Sequence, residues 1–478
     1  MNGSREPLLR ALRAAVGARA VLDDPGSLLA YESDALTLFR CKPAAVVLPE
    51  NAEQVQACVR VLHEARVPFA ARGAGTGLSG GALVPEGGVV IATSRMRRIR
   101  SMDPSRRIAV VESGVVNAEL SRAAAPHGLR YAPDPASQTV STLGGNIAEN
   151  AGGPMCFLHG TTGPHVHALD VVLADGRREC WGSPTAATDG FDLRGFCVGS
   201  EGTVAIVVAA TVRLIPLPEK IVTLLAAFDS IATACAAVST IVAAGLRPVA
   251  LEVMDQRAIR AVEASTYRSG LPQDAGAVLL VELEGPAARV PGEAAETEAL
   301  LRAHAPLRVE RAENAAQRLA IWKGRKGAGG ALGRLGPDSY VMDGVVPRSR
   351  LAEVMRFVEQ VEAESGLPVA NLFHAGDGNI HPHFSYDARD PAQVATVERA
   401  GARILRKCLE LGGSLSGEHG IGLEKQHLLA EQYGAEEIAL MERVRRAFDP
   451  SGLLNPGKGL PMRRGCAEAF HRHGRIAS

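Results

Sequence analysis

The chain has 478 residues, and its Lys plus Arg and Asp plus Glu balance at 52 each. That length exceeds one ordinary core, so two or more domains are expected, and a neutral chain has no global attraction to nucleic acid or an anionic membrane. The eight cysteines are scattered with no C-x-x-C pair, which argues against a disulfide scaffold, a zinc ribbon and an iron–sulfur site, and suits a reducing cytoplasm.

No apolar run is long enough to span a membrane. The opening "SREPLLRALRAAVGARAVLDD" reads as a short amphipathic helix with Leu8, Leu9, Leu12 and Val16 on one face. Its Glu6, Asp23 and Asp24 argue against a transit peptide. "AAVVLP" reads as a buried strand, and "NAEQVQACVRVLHEA" as a helix with Asn51 as N-cap and Val55, Cys58, Val59 and Leu62 on one face. "VPFAAR" is the next strand, followed by the loop "GAGTGLSGGALVPEGG". "VVIATS" and "IAVVESG" read as strands and "NAELSRAAAPHG" as a helix. A second glycine-rich stretch, "PDPASQTVSTLGGNIAENAGGP", covers 133–154. "ALDVVLADG" is a strand entering an Asp-Gly turn. "GSEGTVAIVVAATVRLIPLP" is a loop and then a long strand, closed by Pro216 and Pro218.

A domain boundary is placed there. From 219 to about 447 helices and strands alternate: "AAFDSIATACAAVSTIVAAG" reads as helical, "PVALEVMD" and "AGAVLLVELEG" as strands, and 338–375 as strand–helix–strand. This predicts an α+β domain with helices on one face of a largely antiparallel sheet. The tail "RVRRAFDPSGLLNPGKGLP" reads as a helix and a Pro-Gly loop.

Residues 75–80, "GTGLSG", match G-x-G-x-x-G. A dinucleotide site of the Rossmann kind needs a helix directly after the glycines, and Pro85, Gly87 and Gly88 would break it. The loop still suits a phosphate. Gly73, Gly75, Gly77, Gly80 and Gly81 let successive N–H groups turn toward one anion, and Thr76 and Ser79 add hydroxyls. The alternative is a turn that merely lets two domains approach. The second glycine-rich segment at 144–153 favours a large, two-ended cofactor.

"NLFHAGDGNIHPH" at 371–383 is the other concentration of chemistry. His374 ends a strand, and "AGDGN" makes a tight turn. His381 and His383, two residues apart on the returning strand, point to one face. Glu418 and His419 occupy another glycine-bounded loop and are natural partners. Asp377 reads equally as an orienting carboxylate or a turn former. The competing reading is a set of surface-turn histidines.

"PENAEQVQACVRVLHEARVPFAARGAGTGLSGG", "PDPASQTVSTLGGNIAENAGGP" and "VGSEGTVAIV" together resemble the FAD-binding domain of the vanillyl-alcohol oxidase type of flavoprotein. "HAGDGNIHPH", "GGSLSGEHGIG" and "FDPSGLLNPGK" narrow this to the branch that oxidises D-2-hydroxy acids, covering about 40–460. "WKGRKGAGGALGRLGPDSYVMDGVVPR" and the tail "RRGCAEAFHRHG" look most like the FAD-linked subunit of glycolate oxidases. The implied architecture is α+β: a two-part FAD-binding domain over 1–218 (an N-terminal helical region to 40, then the FAD-binding fold), an antiparallel-sheet substrate domain with a metal site over 219–447, and a segment 448–478 returning to the FAD domain.

The resemblance also implies roles. Arg72, Gly73, Ala74, Gly75, Thr76, Gly77, Leu78 and Ser79 would hold the FAD pyrophosphate. Pro133, Asp134 and Ser137, with Gly144, Gly145 and Asn146, would line the flavin. Glu201, Gly202 and Ile206 would contact the adenine side or pyrophosphate, and Asn455 would reach the flavin. No histidine stands in the first glycine loop, so FAD is expected to be non-covalent. His374, His381 and Glu418 would bind one divalent metal, zinc foremost, with manganese or iron also fitting. His419 would handle the proton, Arg325 would clamp the substrate carboxylate, and His383 would line the substrate pocket. Met342 stands where relatives that handle a dicarboxylic acid carry a lysine, which favours glycolate or D-lactate. Onward electron transfer implies a second FAD-type subunit and an iron–sulfur subunit, in the cytoplasm, with membrane contact at its inner face only through those partners. A stand-alone D-lactate or D-2-hydroxyglutarate dehydrogenase, or a non-catalytic flavin-binding subunit, are the alternatives.

Overall fold

The structure, a computed structural model, describes residues 5–185 and 190–461 and the backbone of 471–472. Apart from that backbone pair, the tail "RRGCAEAFHRHG", Cys466 included, lies outside the described residues. The chain divides into two compact units. The first comprises residues 1–152, 161–217 and 418–478, and the second 153–160 and 218–417.

In the first unit, strands Ala45–Val47 and Phe69–Arg72 both pair in parallel with Val89–Ala92, and Val21–Leu22 adds an antiparallel edge. Parallel neighbours need a crossover, and helix Ala52–Glu64 is one. Its cap is Asn51, whose side chain accepts from Gln54 N, and it buries Val55, Cys58, Val59 and Leu62. The N-terminal helix Arg5–Val16 buries Leu9, Leu12 and Val16. A second, antiparallel sheet has the order Arg178–Gly182, Val166–Val172, Ile206–Arg213, Ile108–Glu112, Ile99–Asp103.

The stretch 133–154 reads in sequence only as glycine-rich, yet Leu143–Glu149 is a helix, with Thr142 as its cap. Gly144 serves packing there, since a Cβ on it would lie 2.6 Å from Ser113 Cβ.

The second unit is built on a nine-stranded sheet. Lys220–Phe228, Ala277–Gly285, Ala250–Asp255 and Val369–His374 run antiparallel through its middle. Two expectations need correction. Ala226–Phe228 ends a strand and the helix starts only at Ile231, because Asp229 and Ser230 interrupt the apolar run and Ser230 caps the helix. The sheet is also apolar on both faces. Leu225, Val278, Leu280 and Met254 pack with helices Gln256–Glu263 and Ala315–Leu332. The alternate residues Ala226, Phe228, Leu279, Val281 and Val253 are equally buried, and helices Ile231–Ala243 and Val290–Arg302 pack on the same strands. Segment 153–160 belongs to this unit: Met155 and Leu158 pack against its core, and His159 Nε2 lies 2.7 Å from Glu284 Oε1. Among the described residues no helix is long and apolar enough to cross a membrane.

Candidate active site

The two glycine-rich stretches meet in the first unit. After strand Phe69–Arg72 the chain makes only turns and bends to residue 88, with Gly75 and Gly80 at positive φ. Gly73 packs directly on Thr142: a Cβ would lie 2.2 Å from Thr142 Oγ1. Between the stretches opens a cleft. Gly73, Ala74, Gly75, Thr76, Gly77 and Leu78 line one side. Ser137, Gly144, Gly145 and Asn146 line another, and Glu201 and Gly202 complete that set. Three polar atoms of lining residues, Ser141 Oγ, Asn146 Nδ2 and Ser200 Oγ, are buried without a hydrogen-bond partner. Buried polar atoms are normally paired, so this wall fits a large cofactor rich in donors and acceptors, as FAD is.

Other residues nominated by sequence do not line the cleft. The Arg72 guanidinium donates to the carbonyls of Ser33 and Ala30 and stands over the Tyr31 ring. Ser79 is fully buried, and its carbonyl accepts from Leu423 N. Pro133 O accepts from Asn117 Nδ2, and Asp134 is buried. Ile206 packs in the core with Val172. Asn455 Nδ2 donates to the carbonyls of Gly81 and Glu201.

Glu418 and His419 line this same cleft. Glu201 is what holds their loop. Its carboxylate accepts from Ile421 N and Gly422 N, both at 2.7 Å, from a backbone at φ 54°. Burial pushes this carboxyl above the usual range; the two N–H groups, Lys425 and Lys458 pull it back. Gly422 is required by the closeness of the loops, since a Cβ there would lie 2.1 Å from Ser79 O. Lys458 is fully buried and donates to Leu83 O at 2.7 Å, and burial pulls its amine down to about 7. Asp34, also buried, is pushed up to about 7.

The histidine loop lies in the second unit. His374 and His381 are buried with ring centroids 5.1 Å apart and planes near perpendicular. Spacing alone would pair His381 with His383. The strand is broken at His381, between Asn379–Ile380 and Pro382–Tyr386, so simple alternation does not apply. His383 is half-buried on the second of these strands, opposite Val341 and Ala370.

The carboxylate beside His374 is Glu252, from the strand "ALEVMD", with Oε1 2.8 Å from His374 Nδ1. Its Oε2 is 2.5 Å from Arg325 Nη2. Burial alone would raise the Glu252 carboxyl, but the charges of Arg325 and His374 outweigh it and hold it below the ordinary range. Asp377 forms the turn, its N–H donating to His374 O. Asp343, fully buried, accepts from Asn379 Nδ2, Ser416 Oγ and Gly417 N, and lies 3.4 Å from His381 Nε2. Met342, just after strand Asp338–Val341, is buried against Gly401, where a Cβ would lie 2.6 Å from its sulfur. Sequence reading missed Glu252 and Asp343. The available signal was a lone carboxylate inside an otherwise apolar strand or beside a strand end.

Residues 43–180 match the FAD binding domain family, and 217–459 match the C-terminal domain of FAD linked oxidases. The chain is 44% identical over 471 residues to the glycolate oxidase subunit GlcD of Escherichia coli strain K12, covering 98% of this chain and 94% of that protein. It is 38% identical to the GlcD subunit of Bacillus subtilis, covering 91% and 93%, and 32% identical to a D-lactate dehydrogenase of Anaerostipes hadrus, covering 90% and 92%. Among solved structures, p-cresol methylhydroxylase shares the fold with a TM-score of 0.81 at 18% identity, covering 96% of this chain and 98% of that one. With both domains matched in order and relatives this similar over nearly their whole length, the chain belongs to the FAD-linked oxidases and is an FAD-linked oxidoreductase of the group that contains the GlcD subunits.

Proposed function

We propose that this enzyme oxidises a small D-2-hydroxy acid, glycolate in the first place, to the 2-oxo acid. The observation that supports this most is that His419 shares a cleft with the two glycine-rich stretches. A group able to take a proton thus stands in the cavity whose wall fits the cofactor. FAD, held non-covalently by Gly73 to Leu78, Ser137 and Gly144 to Asn146, supplies the hydride acceptor. His374, His381 and Glu418 would hold a divalent ion, zinc foremost and otherwise manganese or iron, and its positive charge would make the substrate hydroxyl more acidic.

His419 takes the hydroxyl proton while the carbinol carbon gives up its hydride. One O–H and one C–H bond break, two electrons leave, and a C=O bond forms. Arg325 holds the substrate carboxylate; its Nη2 is on Glu252, and its buried Nε has no partner. His383 borders the substrate. Met342 brings no charge for a second carboxylate, which favours glycolate or D-lactate over a dicarboxylic acid. The electrons pass to a second FAD-type subunit and an iron–sulfur subunit, with the chain reaching the inner face of a membrane only through them; the GlcD relatives are themselves named as subunits. A stand-alone D-lactate dehydrogenase is the second reading, favoured by relatives of that name.

The test is the visible spectrum of the purified protein under anaerobic conditions, with glycolate and with D-lactate. Bleaching by glycolate supports the proposal. Bleaching by D-lactate alone moves the substrate, and no bleaching by either in the presence of zinc refutes the reading.

A further inference from the structure

We propose that Glu252 is a positioning residue that fixes His374 in one tautomer and anchors Arg325 beside it. The inference rests on the reading of His374 as a metal ligand given above. Glu252 is 1% exposed on strand Ala250–Asp255 and stands directly opposite His374 in the sheet register. One carboxylate oxygen faces His374 Nδ1 at 2.8 Å and the other faces Arg325 Nη2 at 2.5 Å. A proton on Nδ1, donated to the carboxylate, leaves the ring's lone pair on Nε2, the form in which imidazole ligates a metal.

A second buried glutamate on the same sheet face shows what a purely structural carboxylate looks like. Glu282 receives Arg318 Nε and Nη2, Trp322 Nε1 and Thr223 Oγ1 within 2.6–2.8 Å. All four are hydrogen-bond donors that end on that one carboxylate. Around Glu252 one partner is instead an imidazole with a lone pair to offer, and the other is a guanidinium whose buried Nε is unpartnered. That arrangement holds two side chains ready for a ligand.

The experiment measures zinc affinity of the full-length flavoprotein, stripped of metal, by competition with a fluorescent chelator. Glu252→Gln is expected to bind zinc about 10–100-fold more weakly with FAD content unchanged, while Glu282→Gln binds zinc as wild type does. Equal zinc affinity in E252Q and wild type overturns the inference and leaves the ligand reading standing. If wild type and His374→Ala bind zinc equally, the ligand reading fails and the inference with it. Should E252Q not fold, Glu252→Asp carries the test. It keeps the charge but shortens the reach, and is expected to weaken zinc binding several-fold; unchanged affinity overturns the inference.

Discussion

Replacing Glu201 with alanine removes the tie between the cofactor cleft and the loop that carries Glu418 and His419. Two short hydrogen bonds, from Ile421 N and Gly422 N, end on its carboxylate. Bonds to a charged group contribute about 1.5–3 kcal/mol each, so their joint loss costs roughly 3–6 kcal/mol before water enters. Lys458, fully buried, loses its main opposing charge as well, and breaking a buried pair from one side costs a similar 3–5 kcal/mol or so. The two figures describe overlapping interactions, so about 4 kcal/mol is the expected total. At roughly 2–4 °C per kcal/mol for a domain of this size, the first thermal transition falls by about 10 °C. Glu201→Gln, which keeps one acceptor, should lose about half as much. The displaced loop also moves His419, and a misplacement of about 1 Å costs on the order of 100-fold in rate. Anaerobic stopped-flow flavin reduction by glycolate measures the rate, and flavin fluorescence on heating measures stability. An E201A protein with wild-type reduction rate and wild-type melting would refute the assignment of Glu201 as the loop's anchor.

His419→Ala should abolish flavin reduction by glycolate while the purified protein stays yellow; an unchanged rate removes His419 from proton transfer. Gly73→Ala should weaken FAD retention, because the new methyl meets Thr142 Oγ1. Adding Thr142→Ala removes that oxygen and leaves the methyl 3.4 Å from Cβ, so the double variant should retain FAD as T142A alone does; failure of this rescue in equilibrium dialysis contradicts the contact. Asp34 should make wild type lose stability as pH rises. Its folded value of about 7 lies above the ordinary carboxyl value of 3.8, so its cost is absent below about pH 4 and complete above about pH 7, at most about 4 kcal/mol. Asp34→Asn should therefore gain on wild type across that window in denaturant melts. Lys458, lowered from 10.5 to about 7, acts in the next window with the opposite sign, its cost fading as pH rises.

Local chemistry was legible in the sequence. Asn51 caps the helix it was expected to cap, and the four apolar residues on that helix's face are all buried. The proline and glycines after residue 80 correctly excluded a helix there. What sequence could not supply was partnership across long separations. Glu252 and His374 are 122 residues apart and meet only through strand register. Glu201 and Gly422 are 221 apart. Within a strand of 2-residue period His381 and His383 should share a face, but the break before Pro382 changes His381's direction. The helix at Leu143–Glu149 was hidden because two of its seven residues are glycines, of which Gly144 is kept for closeness to Ser113.

Because the first unit is built from three separate pieces, the last of them starting at residue 418, it is completed only late in synthesis. Strand Phe69–Arg72 takes its neighbour from residues 453–455: Phe69 N donates to Leu453 O, and Asn455 N donates to Phe69 O. Asn455 and Lys458 then fasten Gly81, Leu83 and Glu201. Two hundred residues of the other unit, 218–417, are made before these fasteners exist, a delay of about 10–40 s at ~5–20 residues per second. During that interval the glycine loop and its cleft lack their last supports, so capture of the cofactor belongs to the end of synthesis. A chain cut short before residue 453 forfeits the cofactor site some 370 residues upstream along with its own tail.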